Sequence, residues 1–365
     1  MSENQLVRLE QPPHKRQLCG AILLALALAG CTGPAAPAPT SPPATAAPSA
    51  PPATQTTAAT SPPATAAPTA PPATPTTAPT AAPTPQPESA YDNLSDPISL
   101  LASLYSAINL KDYQRAYGYW QTPPSPTLDE FARGYADTAS VELIVGPPPR
   151  YEGAAGSQYA SIPTVLVSSQ VDGSRQLFAG CYVARRANPA IEGAPKDGAW
   201  HLNQATIAAA PAGSDLGALL DKACESQGAD PRGYDNPSTP IDLLASFYDA
   251  VNRKQYLRAY AYWVTPPAPS ADEFARGYAD TTAVLLAVRP PGRLGAAAGS
   301  QYTSIPTLLV ATHADGSRHT FAGCYVAQRP NQGDDAPWRL YDATIAEAPA
   351  GADQAGLLQQ ACPPS

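Results

Sequence analysis

From residue 91 onward, apolar and polar positions follow two periods in turn. Ile98, Leu101, Tyr105 and Ile108 recur at helical spacing, behind an Asp96-Pro97 pair suited to cap and start a helix. In "DYQRAYGYW", Tyr113, Tyr117 and Trp120 again fall on one helical face, and "TPPSP" then breaks the chain. Thr127 with Glu130 forms a capping box that opens a third helix through "EFARGY". The period then shortens to that of strands. "VELIV" at 141–145 is the first strand, and "YASIPTVLVSSQV" and "RQLFAGCYVARR" flank Asp172-Gly173, a hairpin signal. Pro163 suggests a bulge or an edge near the start of the long strand. "AWHLNQATIA" gives a fourth strand, and a short helix, "DLGALLDKAC", ends in cysteine.

The whole pattern then repeats. Thr239-Pro240, the capping box Ser270 to Glu273, and Asp315-Gly316 restate the same signals. Tyr91 aligns with Tyr234, Trp120 with Trp263 and Cys181 with Cys324; a five-residue deletion precedes Trp338, which matches Trp200. Residues 91–190 and 234–333 share 65 identities over 100 positions. Identity this high means that a residue present in both copies is not thereby functional. The expected domains are 89–226 and 227–365.

Composition changes the picture upstream. The chain has 45 prolines in 365 residues and a net charge of −8, which argues against a nucleic-acid partner. Arg8, Lys15 and Arg16 precede a short apolar run at 18–29, too short for a bilayer span and right for an export signal. The run ends in "LAGC", Leu28 to Cys31. This resembles the lipobox of bacterial lipoproteins, which implies removal of 1–30 and a lipid on Cys31. Two or more acyl chains give stable membrane attachment. Residues 31–88 follow as a spacer. Between 32 and 86 there is no charge and no aromatic residue, only Ala, Pro and Thr with a few Ser, Gly and Gln, including a 20-residue repeat from Ser41 and Ser61. Such a segment cannot bury a core. Extended as polyproline II at ~3.1 Å per residue it reaches on the order of 170 Å. Its composition also permits O-glycosylation.

Helices first and an antiparallel sheet afterwards predict an α+β fold. "LASLYSAINLKDYQRAYGYW", its copy "LASFYDAVNRKQYLRAYAYW", and "DEFARGYADT" together resemble the nuclear-transport-factor-2-like superfamily. That resemblance implies two tandem cone-shaped domains, each with N-terminal helices packed on its own curved antiparallel sheet. It also implies a family that mixes noncatalytic binding domains with isomerases and dehydratases that use a pocket Asp or His.

Candidate chemistry is sparse. His201, His313 and His319 have no histidine counterpart in the other copy, which excludes a His mechanism common to both, and no His or Cys pair has metal-ligand spacing. No cofactor motif is present; the glycines of "EGAAGSQ" do not open a helix after a strand. The best repeated polar cluster is Arg133, Tyr135 and Asp137, with Arg276, Tyr278 and Asp280. As a ligand site it would use Asp as base or acceptor, Tyr as donor or wall, and Arg as anion anchor. The commonplace alternative is an Asp129–Arg133 ion pair at i, i+4, a packed Tyr135, and Asp137 capping a turn. Tyr113, Tyr117 and Trp120 are expected in the core rather than around a ligand.

The stretch "FAGCYVA" at 178–184 and 321–327 carries a cysteine in each copy. Duplication favours pairing within copies, Cys181 with Cys224 and Cys324 with Cys362, in disulfide-permissive surroundings outside the cytoplasm. The functional expectation is a lipid-anchored protein on the outer face of the cell membrane. It would present noncatalytic binding modules to a small molecule or an envelope protein. The alternatives are an isomerase, dehydratase or hydrolase using Asp137 and Asp280, and a structural spacer of the envelope.

Overall fold

A computed structural model describes residues 90–362, apart from 155, 189, 192, 194–197, 225–232, 291, 298 and 332–335. The export signal, Cys31 and the Pro/Thr spacer lie outside the described residues.

The first repeat runs α1 (Pro97–Asn109), α2 (Tyr113–Gly118), α3 (Leu128–Arg133), β1 (Thr138–Val145), β2 (Arg150–Ala154), β3 (Ser157–Gln170), β4 (Arg175–Ala187), β5 (His201–Ala210) and α4 (Leu216–Ala223). The second repeats it as α5 (Pro240–Asn252), α6 (Tyr256–Ala261), α7 (Ala271–Arg276), β6 (Thr281–Val288), β7 (Arg293–Ala297), β8 (Ser300–His313), β9 (Arg318–Pro330), β10 (Arg339–Glu347) and α8 (Gln354–Gln360). The capping signals act as the sequence suggests. The Asp96 side chain accepts from the Ile98 and Ser99 amides, and Thr127, Thr239 and Ser270 each accept from the amide three residues on.

The expectation of two cones, each with helices on its own sheet, is overturned. All ten strands belong to one antiparallel sheet in the order β10-β9-β8-β6-β1-β3-β4-β5, with β2 on β3 and β7 on β8, and strand outweighs helix among the described residues. The repeats join where Val145 of β1 pairs with Val288 of β6. The join is short for a local reason. The Val141 amide and carbonyl, which point toward that same edge, are taken by the Asn109 side chain at 2.7 and 2.9 Å. Asn252 clamps the carbonyl and amide of Val284 in the same way.

Val145 and Val288 occupy equivalent positions in the two copies, so the seam has the self-complementary character of a two-fold interface within one chain. The ion pairs agree. Arg175 meets Asp353 at 3.5 Å and its counterpart Arg318 meets Asp215, the counterpart of Asp353, at 3.6 Å. One departure from that symmetry is the Arg289–Glu142 pair, 3.0 Å across the seam.

The two sheet faces are covered differently. Alternate residues of β4 such as Phe178, Tyr182 and Ala184 join α1 and its neighbours in a core cluster that includes residues of both repeats. On the opposite face, Ile144, Val165 and Val167 pack with Leu216 and Leu220 of α4, and with Leu308, Val310 and Leu358 of the second repeat. Helix α4 approaches β8 so closely that a Cβ on Gly217 would sit 2.9 Å from Val310.

Two expectations about strands are refined. Pro163 lies in a central strand, not at an edge or bulge. It falls where the partner of β3 changes from β2, ending at Ser161, to β1, beginning at Thr164; its carbonyl accepts from the Gly146 amide at 2.9 Å, and its missing N–H forgoes the return bond at the very end of the β1 ladder. Strand β2 escaped the sequence pattern altogether because "RYEGA" neither alternates nor carries a β-branched residue.

Candidate functional site

Both disulfides form within copies, Cys181–Cys224 and Cys324–Cys362. Each ties the C-terminal end of the last helix to the second strand of the hairpin. The thiols are therefore staples rather than nucleophiles, and they point to an oxidising, extracytoplasmic environment. Among the described residues no helix is long and apolar enough to cross a membrane.

The predicted cluster does not assemble into one site. Arg133 and Asp137 are exposed, whereas the Tyr135 ring turns inward, stacked on Tyr113 at 6.1 Å and edge-on to Phe131 at 5.3 Å. Burial pushes the Tyr135 hydroxyl well above the ordinary range for tyrosine. Tyr278 repeats this against Tyr256 and Phe274. The expected Asp129–Arg133 pair is replaced by Arg133 with Glu130, one residue closer in sequence, at 3.8 Å, and Arg276 pairs with Glu273. Asp280 is also solvent-exposed and bonds His313 Nδ1 at 3.0 Å, a partner the first copy lacks because Gln170 stands there. His313 and His319 lie ring to ring, 4.8 Å between centroids, a proximity their spacing did not suggest. Among the described residues no group of three His, Cys, Asp or Glu side chains is arranged to hold a metal ion.

Each repeat instead holds an aromatic interior. Tyr105 and Tyr182 share a 2.6 Å hydroxyl contact, with Trp120 packed on Tyr182; Tyr248, Tyr325 and Trp263 repeat it. Tyr113, Tyr117 and Trp120 pack against this core, as the helical stripe suggests.

A roomy cleft lies between the repeats, not within one. It is a cleft of about 1310 Å³, walled by the Pro147–Pro149 loop, Tyr151 and Lys222 from the first repeat and by Tyr234, Asp249 and Arg253 from the second. Arg253 and Arg258 both bond Asp249, at 2.9 and 2.6 Å. Partial burial works against its ionised form, yet these two guanidiniums hold the Asp249 carboxyl below the usual range. A second cleft of about 770 Å³ lies where Asp215 and Asp353 meet the opposite repeat's arginines.

Directly behind the first cleft sits the least expected charge in the molecule. Asp242, in the first turn of α5, is 3% exposed. It accepts from the Tyr234 hydroxyl at 2.6 Å and from Asn236 Nδ2 at 3.3 Å. Burial, reinforced by the nearby Asp96 carboxylate, outweighs these donors and lifts its pKa to about 7. In the first copy the equivalent position is Ser99, which takes the Tyr91 hydroxyl at 3.0 Å. A search for residues shared between copies passes over Asp242; the signal that marks it is a difference, an acid placed among the apolar residues "PIDLLASF".

No known family model matches the chain, and no curated protein matches it. The functional reading therefore rests on this geometry.

Proposed function

We propose that the protein is an exported, lipid-anchored envelope protein whose paired repeats act as one noncatalytic binding platform, with the inter-repeat cleft as its ligand site. The observation that carries this reading is the cleft itself. It is built from both repeats at once, large enough for a drug-sized ligand or a short peptide, and walled by tyrosines, proline and opposite charges. That lining suits a polar organic molecule or peptide with an apolar portion. The lipid on Cys31 would hold the chain at the membrane surface, and the spacer would carry the platform outward.

The test is a thermal-shift screen of amino acids, short peptides and sugar fragments on the mature protein. Hits would be repeated on Lys222→Glu and Glu152→Lys, two exposed positions on the cleft wall. Compounds that stabilise the wild type should lose at least half of their shift in one of these variants. Hits that keep their full shift in both would place binding elsewhere. A catalytic use of Asp137 and Asp280 has less behind it: both are exposed, and neither lies on the cleft wall.

A further inference from the structure

Tyr151 and Tyr234 belong to different repeats, yet both line the same cleft, and their hydroxyls interact. Behind Tyr234 lies Asp242, and beside the pair lies Asp96, the N-cap of α1 in the other repeat. Asp96 Oδ1 is occupied by two helix amides, while its Oδ2 is buried with no hydrogen-bond partner. The groups facing Asp242 are therefore Thr239 on its own helix, Tyr234 and Asn236 on the preceding segment, and Asp96 and Tyr151 from the first repeat. Two cations lie near this group: Arg186, bonded to Gln158 and lying over Trp200 at 4.6 Å, acts on Tyr151, and Arg258 donates to the Tyr234 carbonyl at 2.8 Å while paired with Asp249 at 2.6 Å. No positive group compensates Asp242 among those facing it.

We propose that Asp242, Tyr234, Tyr151 and Asp96 form a proton-operated clasp between the repeats, closed over the cleft wall when Asp242 is protonated and loosened when it is ionised. Ionisation places a second carboxylate opposite Asp96 in a buried site, and parting the repeats at Tyr151 and Tyr234 is what lets water reach it. The clasp exists in one register only. The counterpart of Asp242 is Ser99, and that of Tyr151 is Leu294. A symmetric seam thus has one asymmetric, acid-sensing lock. Its biological consequence, control of ligand access, rests on the cleft being a binding site; the clasp itself is tested without any ligand.

The direction follows from linkage. The carboxyl titrates near 7 when closed and near 3.8 when open to water. The closed form is fully favoured below the lower value and is lost as pH rises through the upper one. Opening should increase roughly tenfold per pH unit between about 4 and about 7, then level off. Hydrogen exchange on the mature, disulfide-intact protein reads this at residues 150–154 and 233–246, after correction for intrinsic rates. Wild type should show the slope and Asp242→Asn should be flat. Asp242→Ser, which copies the first repeat, gives the same readout if the amide variant folds poorly. Carboxyl carbon NMR on the wild type should place the Asp242 titration near neutrality. An equal slope in a folded variant, a wild type without slope, or titration below pH 5 overturns the proposal. A flat ligand screen alongside a working clasp would refute only the binding reading.

Discussion

Removing one staple tests whether the two repeats fold as a unit. Cys181 and Cys224 are 43 residues apart, Cys324 and Cys362 38. In the chain-entropy model each closure stabilises by about 4 kcal/mol, and the two loops differ by only ~0.1 kcal/mol. A difference between the two knockouts must then come from packing in the folded state. The helix each staple anchors does differ: α4 lies over β6 of the other repeat as well as over β3 and β4, whereas α8 lies on β8 and β9 and meets the first repeat chiefly at its start, where Gln354 bonds Asp215 and the Leu216 amide. Paired Cys→Ala substitution at 181 and 224 should therefore lower stability by about 4 kcal/mol plus a share of the seam, and exceed the 324/362 pair. Urea denaturation followed by tryptophan fluorescence is the assay, because Trp120 and Trp200 report one repeat and Trp263 and Trp338 the other. At a denaturant slope of roughly 3 kcal/mol/M the midpoint should fall by ~1.3 M. Both variants should keep a single transition, since one core cluster takes in residues of both copies. Two separated transitions, or a loss below about 1 kcal/mol, would refute the reasoning.

Other perturbations read other parts of the fold. Gly323→Ala and Gly180→Ala would place a methyl 1.9 Å from the carbonyl oxygens of Thr344 and Thr206; each should detach its edge strand, lowering stability by more than ~4 kcal/mol and opening β10 or β5 to limited proteolysis. Tyr105→Phe leaves the Tyr182 hydroxyl buried without its partner and should cost about 1–3 kcal/mol, whereas the double Phe variant should recover most of that loss in the same melts. Cys31→Ser should move the protein from the membrane pellet to the soluble fraction and abolish incorporation of a labelled fatty acid.

Local signals were legible in the sequence because each is satisfied within a few residues. Asp96-Pro97 caps its own helix, and Asp172 accepts from Ser174 at 2.8 Å in its own turn. The disulfides were legible because duplication removed two of three pairings. The joined sheet was not. Val145 meets its own counterpart, so nothing in the apolar pattern of β1 distinguishes a free edge from a paired one. The candidate site eluded the same logic. Reasoning from shared residues leads to Arg133, Tyr135 and Asp137, which the fold scatters between solvent and core, while the most perturbed carboxyl stands where the copies differ.

The self-pairing of Val145 with Val288 also bears on inheritance. Two adjacent coding segments this alike invite unequal recombination, which deletes one of them cleanly. The surviving single copy would keep its caps, its hairpin and its staple, yet it would bare one strand edge and the Ile144, Val165 and Val167 face that the other copy now covers. Such a deletion product would associate with its own kind or aggregate. The seam thus guards the duplication, because each half covers an edge and an apolar face that the other would bare alone.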